Sequence, residues 1–415
     1  MKHIIYFFLI GCILIYSCSI ENKGKNIQQI NRDDNLIIID IDTVKKDGIL
    51  FSSLLFDGFT PIILETNNES LIGEICKIEV HGDFIVILDN VIAKNVFLFD
   101  INGNFIRKIG NRGQGPGEYT APSDFTVDLD NKYIYIYDSN SRKIDCFNIQ
   151  DGTFIRSVKI DNRAARIYYI QYYNNKLYAD ASCYENDENQ YMLQEIDLTT
   201  GKQTARWLNN KKYNKGYSNY AGDNMFLYSS SPFYNNSDFG PKFVDLCMDT
   251  ILSFDKNGIS PYLTINSKDF INEHHIKSKK DKEYKEVNNF RDMNVIYDIS
   301  NYIELPEVIL FEYQYNFSKP IVLYNKNSKS TKIYQGIMDD LVFKIDLEKH
   351  DYGMSSKFAW SDKKGVYSFI SSFQMERLLS FVHADKLNLS ETQKEKFIKL
   401  SEDDNPVIFL YHPKK

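Results

Sequence analysis

The chain has 415 residues and a formal charge of −7, with 56 acidic side chains against 49 basic ones. That acidic balance excludes nucleic acid and a polybasic membrane-surface site as expected partners. Aromatics make up 14%, with 29 Tyr and 28 Phe, a composition that favours strands over helices.

The N-terminus reads as an export signal. Met1-Lys2-His3 is followed by an apolar run from Ile4 to Tyr16, then Ser17-Cys18 and a polar stretch. The run is too short for an ordinary spanning helix, which needs about 20 apolar residues. Ile15-Tyr16-Ser17-Cys18 resembles the lipobox of bacterial lipoproteins, which implies cleavage after residue 17 and a lipid on Cys18. A competing cut at Leu9-Ile10-Gly11-Cys12 matches the lipobox letters better, but it leaves Ile13-Leu14-Ile15-Tyr16 at the mature start. Removing residues 1–17 takes away Lys2, so −7 becomes −8. Residues 18–34 read as a flexible polar tether.

From residue 35 to 415 the chain reads as strand upon strand. Leu36-Ile37-Ile38-Ile39 and Pro61-Ile62-Ile63-Leu64 are early strands. A countable repeat follows: Phe84 to Asp89, Val96 to Asp100, a turn at Asn102-Gly103, and Phe105 to Ile109. It returns at Tyr133 to Asp138, Ile144 to Phe147, the Asp151-Gly152 turn and Phe154 to Val158, then more weakly around Lys176 to Gly201. Gly103, Gly152 and Gly201 are separated by 49 and 49 residues, and Asp89 and Asp138 also by 49. A period of 40–50 residues with about four strands per unit is the pattern of a β-propeller blade. Asn-Gly and Asp-Gly supply the positive φ that tight hairpins need. Tyr133 to Tyr137 has no polar face, as a strand buried on both sides requires. Looser units at Thr250 to Gly258, Val308 to Asn327 and Phe358 to Ser371 with Pro406 to Tyr411 bring the count to six.

Two stretches interrupt the blades. Residues 267–290 read as a charged insertion with Lys277, Lys279, Lys280, Lys282 and Lys285, a solvated helix face or a partner-docking arm. Residues 374–402 read as a helical insertion: Met375, Leu378, Leu379 and Val382 share one helix face, and Ser390 with Gln393 forms a capping box. The predicted fold class is therefore all-β, a six-bladed β-propeller with a C-terminal helical insertion.

Lys108-Ile109-Gly110, Arg112-Gly113-Gln114-Gly115-Pro116-Gly117-Glu118-Tyr119 and Pro122-Ser123-Asp124-Phe125 resemble a signature of the six-bladed, NHL-like propeller lipoproteins of Gram-negative gut bacteria. Ile63 to Ile78 resembles that family's first blade, and Asn405-Pro406-Val407 its closing strand. The resemblance implies the fold and a cell-envelope location, with an outer-membrane lipoprotein facing the periplasm or the surface. It implies little about activity, beyond some likeness to accessory proteins of glycan uptake.

The ligand-binding candidates are Arg112, Gly113, Gln114, Gly115, Gly117, Glu118, Tyr119 and Asp124. Most lie in a connector expected to join the outer strand of one blade to the inner strand of the next, on the face where propellers bind ligands. The same glycines also serve simply to turn the chain between blades. Asp124 with Asp128 is a candidate acid pair for glycoside hydrolysis, whose carboxylates must lie about 5 or 6.5–9.5 Å apart. No G-x-S-x-G is present and no spaced His set, so no catalytic residue, metal or cofactor is expected. Cys76, Cys146, Cys183 and Cys247 lack metal spacing and read as buried thiols. Asp42-Thr43-Val44 and Asp249-Thr250-Ile251 resemble short O-glycosylation acceptors. The functional expectation is a lipid-anchored, non-catalytic binding module for a glycan, peptide or envelope protein. A polysaccharide hydrolase or lyase and a subunit of an outer-membrane complex are the alternatives.

Overall fold

The computed structural model describes residues 28, 30, 36–161, 164–181, 191–213, 231–236, 238–256, 258–272, 294–348, 353–354 and 357–414. Cys12, Cys18, Cys183 and most of the charged insertion lie outside them.

Six sheets follow one another along the chain as six blades. Blade I is Lys77–His81, Phe84–Asp89, Asn95–Asp100 and Phe105–Ile109. Blade II is Pro122–Asp128, Tyr133–Asp138, Lys143–Asn148 and Phe154–Lys159. Blade III runs from Ile170–Tyr173 to Gln203–Asn209. Blade IV runs from the short Phe233–Tyr234 to Gly258–Asn266, and blade V from Ile296–Glu304 to Ser330–Met338. Blade VI holds Lys357–Asp362, Gly365–Ile370 and Val407–Pro413. The first strand of each blade is innermost and lines a central channel. The face where these strands begin is called upper here, and the opposite face lower.

The early strands do not form a blade of their own. Ile37–Asp40 pairs in parallel with the outer edge of blade IV, and Lys46–Phe51 in parallel with that of blade V. Phe56–Ile63 pairs antiparallel with Val407–Pro413 as the fourth strand of blade VI. Ile63, read from sequence with the first blade, thus belongs to the last one. This joins N-terminal and C-terminal strands in one sheet and closes the ring.

The apolar core lies between adjacent blades. Ile136 and Phe147 of blade II pack with Val86 and Leu98 of blade I, while Tyr135 and Ile144 face Ile170 and Leu177 of blade III. Both faces of each sheet are therefore covered, which is why Phe84–Asp89 and Tyr133–Asp138 are buried along nearly their whole length.

The 49-residue spacing has a steric cause. Gly103, Gly152 and Gly201 hold positive φ (91°, 76° and 68°) at the outer hairpin of blades I, II and III. Each turn leans on the outer strand of the preceding blade. A Cβ on Gly103 would lie 2.2 Å from the Ile63 carbonyl oxygen, and one on Gly201 1.9 Å from that of Lys159. The contact is bonded as well as close: Glu65 N donates to Gly103 O at 2.8 Å and Asp161 N to Gly201 O at 2.9 Å.

Asp89 and Asp138 hold the upper connectors. Asp89 accepts from the backbone N–H groups of Gly73, Glu74, Val91 and Ile92. Asp138 accepts from those of Thr120, Ala121, Asn140 and Ser141. Short helices at Met375–His383 and Glu391–Phe397 pack Met375, Leu378 and Phe397 onto blade VI. The Ser390–Gln393 capping box is formed.

Candidate functional site

The inner strands carry polar residues at every second position within otherwise apolar runs. Lys77, Glu79 and His81 alternate with Ile78 and Val80, and Asp124, Thr126 and Asp128 with Phe125 and Val127. Because strand side chains alternate between faces, each set points to one side, and these sets tie the channel wall together. Lys77 Nζ sits 2.8 Å from Asp124 Oδ1 and 3.2 Å from Glu79 Oε1, and donates to Phe125 O at 2.6 Å. Glu79 Oε2 lies 2.8 Å from His81 Nε2. Asp124 Oδ2 accepts from Ile170 N, and Thr126 Oγ1 from Tyr172 N, so blade II is fastened to the inner edge of blade III.

These groups polarise one another. Burial pulls the Lys77 ammonium down, but Asp124 and Glu79 outweigh it and hold it above its ordinary value. Burial pushes Glu79 up, and Lys77 and His81 outweigh that, leaving it low. For Asp124 burial wins and its carboxyl is raised. A second buried knot joins blades IV and V. Glu304 lies 3.2 Å from Lys242 Nζ and 2.7 Å from Lys326 Nζ, and accepts from the hydroxyls of Tyr262 and Tyr302 at 2.6 Å each.

Above the Lys77 cluster a cavity of about 650 Å³ opens, with lining residues from the inner strands or their connectors in all six blades. Half-buried Tyr169, Tyr234, Phe358 and Phe369 contribute aromatic rings, and Asn90, Asn235 and Asn301 contribute amides. Gln171 and Trp360, 2% and 4% exposed, also line it. Gln171 Nε2 donates to Tyr172 O at 2.9 Å. Gln171 Oε1 and Trp360 Nε1 are buried without a hydrogen-bond partner among the described residues. A separate cavity of about 620 Å³ lies at the lower end, lined by His81, Asp128 and Asp238 among others.

Of the ligand-binding candidates read from sequence, only Asp124 lines the upper cavity. Arg112, Gly113, Gln114 and Tyr119 border a separate open hollow of about 350 Å³. In the same connector Glu118 folds back on the chain, its carboxylate accepting from Gly115 N at 2.7 Å and filling the space a Cβ on Gly113 would take. Gly117 (φ 75°) turns the chain against Phe154. Tyr119 is fully buried; its hydroxyl donates to Ile109 O and accepts from Val96 N. The connector is thus held by its own bonds as a junction between blades I and II. Asp124 and Asp128 stand four residues apart on one strand, roughly 13 Å at about 3.3 Å per residue, too far for a glycosidase pair.

Cys76 is an exposed thiol, against the expectation of burial, whereas Cys146 and Cys247 are buried thiols. Thr43 is exposed, but the Thr250 hydroxyl is bonded to Asp249 and Thr264 within a strand. Among the described residues, no group of three His, Cys, Asp or Glu has a metal-holding arrangement, and no helix is long and apolar enough to cross a membrane.

Six units of four strands around a channel, two of them extended by a parallel fifth strand, define a six-bladed β-propeller. The chain belongs to the family of domains of unknown function DUF4934, which it matches over residues 22–412. It is similar in fold to a "putative exported protein" of Bacteroides fragilis NCTC 9343, with TM-score 0.69 and 18% identity over 92% of this chain and 100% of that one. A member of the DUF4221 family from Bacteroides vulgatus ATCC 8482 aligns with TM-score 0.48 and 13% identity, over 86% of this chain and 97% of that one. No curated protein matches the chain.

Proposed function

We propose that this protein is a non-catalytic binding module of the cell envelope that receives a glycan, peptide or protein ligand at the upper end of its channel. The observation that carries the reading is the 650 Å³ cavity, to which all six blades contribute and in which aromatic rings and amides converge. Its size falls within the range of about 300–1,000 Å³ usual for ligand sites. The nearby carboxylates argue against hydrolysis: Asp124 accepts bonds at both oxygens, and Glu79 is held between Lys77 and His81. The envelope part of the reading rests on the signal-like N-terminus with Cys18, supported by the exported-protein name of the Bacteroides fragilis relative.

The test is a ligand screen on the chain from residue 35, with new reducing ends followed over time. Ser123→Trp, which fills the cavity wall, is expected to abolish binding, and Arg112→Ala to leave it intact. The reverse pattern, or release of reducing ends, overturns the reading. For the anchor, Cys18→Ala is expected to abolish lipid labelling, and labelling that persists sinks the assignment to Cys18.

A second reading, docking to a larger envelope assembly, draws on an exposed apolar group beside the same mouth. Leu71, Val91, Ile92 and Phe373 are 53%, 54%, 63% and 80% exposed. Ser372 Oγ donates to Ile72 O, and Gly73 abuts Ile92, which draws this group together. A pull-down that Phe373→Ser weakens and Ser123→Trp leaves intact would favour it.

A further inference from the structure

We infer that the upper cavity takes an uncharged, hydroxyl-rich saccharide, with Gln171 Oε1 accepting from its hydroxyls and Trp360 Nε1 donating to them. This rests on the binding-module reading and names the chemistry of its ligand.

Charge is the first argument. Lys77 is the only cation among the described residues lining the cavity, and it is already engaged by Asp124, Glu79 and Phe125 O. Glu74, Glu79 and Asp124 are the acids of the same wall. A uronate, sulfate or phosphate entering here would meet three carboxylates and no uncommitted ammonium. A cationic ligand would find Glu79 and Asp124 already held by Lys77, which leaves Glu74 alone to pair with it.

The unpartnered polar atoms are the second. Gln171 has its amide nitrogen committed to Tyr172 O, which leaves Oε1 as a pure acceptor without a donor. Trp360 Nε1 can only donate, and it too lacks a partner. A buried polar atom left without a partner is costly, so a ligand that supplies both a donor and an acceptor is favoured. A sugar hydroxyl is both at once.

Third come the rings and the strand edges. The apolar C–H face of a pyranose stacks on aromatic faces such as those of Tyr169, Tyr234, Phe358 and Phe369, while its hydroxyl edge meets the amides of Asn90, Asn235 and Asn301. An extended peptide would instead need a ladder of free main-chain groups. On blade III the inner-edge N–H groups of Ile170 and Tyr172 are already taken by Asp124 and Thr126.

The experiment is calorimetric titration of the full chain with maltotriose, cellotriose, mannotriose, galactotriose and xylotriose. Trigalacturonate, chitotriosamine and tryptic casein peptides form the charged and peptide arms. Gln171→Leu and Trp360→Phe keep side-chain bulk and remove one polar atom each, with melting curves to check that each variant folds. The expected result is binding of at least one neutral trisaccharide, weakened about tenfold by each substitution. Failure of every neutral trisaccharide to bind overturns the inference. Binding of trigalacturonate or peptide that Ser123→Trp abolishes overturns it while leaving the channel as a binding site. Neutral binding that resists Gln171→Leu, Trp360→Phe and Ser123→Trp but falls with Arg112→Ala overturns both the inference and the channel reading.

Discussion

Replacing Gly201 with Ala tests whether interblade contact at the outer turns sets the repeat. At φ 68° an alanine bears the left-handed penalty of about 1–2 kcal/mol. Its Cβ would stand 1.9 Å from the Lys159 carbonyl oxygen and 2.8 Å from the carbonyl carbon, both backbone atoms of the neighbouring blade. Relief requires the two blades to part there, which removes the Asp161 N to Gly201 O bond, about 0.5–1.5 kcal/mol. The sum is about 1.5–3.5 kcal/mol. With a urea m value of about 3 kcal/mol/M, the unfolding midpoint should fall by roughly 0.5–1.2 M. Gly58→Ala is the control: nothing lies within 4 Å of its Cβ position, and a change within about 0.5 kcal/mol is expected. Equal midpoints for the two variants would refute the steric account of the 49-residue spacing.

Other perturbations read other parts of the molecule. Lys77→Met strands the buried Asp124 and Glu79 carboxylates and should cost about 3–5 kcal/mol in urea unfolding; adding Glu79→Gln and Asp124→Asn should recover part of the loss, and no recovery would count against an ion-pair origin. Burial raises the Asp180 carboxyl to about 8. Its folded value thus exceeds the unfolded one, so its stabilising protonated form is full below about pH 4 and lost as pH rises through 8. Asp180→Asn should therefore melt increasingly above the wild type between pH 5 and pH 9, by a few kcal/mol at most, and a pH-independent difference would contradict the assignment. Ser390→Ala removes the capping box and should cost about 1 kcal/mol, read as faster amide exchange confined to residues 391–397.

The blade repeat was legible because each unit has to solve the same local problem. Tyr133 to Asp138 must be apolar on both faces, and Gly152 and Gly201 must turn against a neighbour's backbone. Blade IV was faint because its first two strands, Phe233–Tyr234 and Lys242–Phe243, are two residues each, too short for periodicity to register. The parallel strands Ile37–Asp40 and Lys46–Phe51 depend on edges made more than 200 residues later, which no local pattern encodes. The Arg112-to-Tyr119 stretch is conspicuous for its glycines, yet Gly117 turns the chain at a junction between blades. The channel wall was quieter: Gln171 and Trp360 have ordinary neighbours in sequence. The alternation Lys77-Ile78-Glu79-Val80-His81 was the available signal, since a period of two in an innermost strand aims charge at the axis.

The pairing of Phe56–Ile63 with Val407–Pro413 has a kinetic consequence. During synthesis these residues, with Ile37–Asp40 and Lys46–Phe51, emerge long before the sheets that receive them. The earliest strands thus wait through most of synthesis for their partners, Phe56–Ile63 the longest, and meanwhile they are open edges of the kind that invite aggregation. Closing a loop of about 350 residues costs roughly 5 kcal/mol on a (3/2)RT ln n scale, so the ring cannot seal until blades I to V have already formed. A ribosome that stalls anywhere before residue 407 leaves a crescent with an unclaimed clasp, a species that quality control can recognise by its exposed ends.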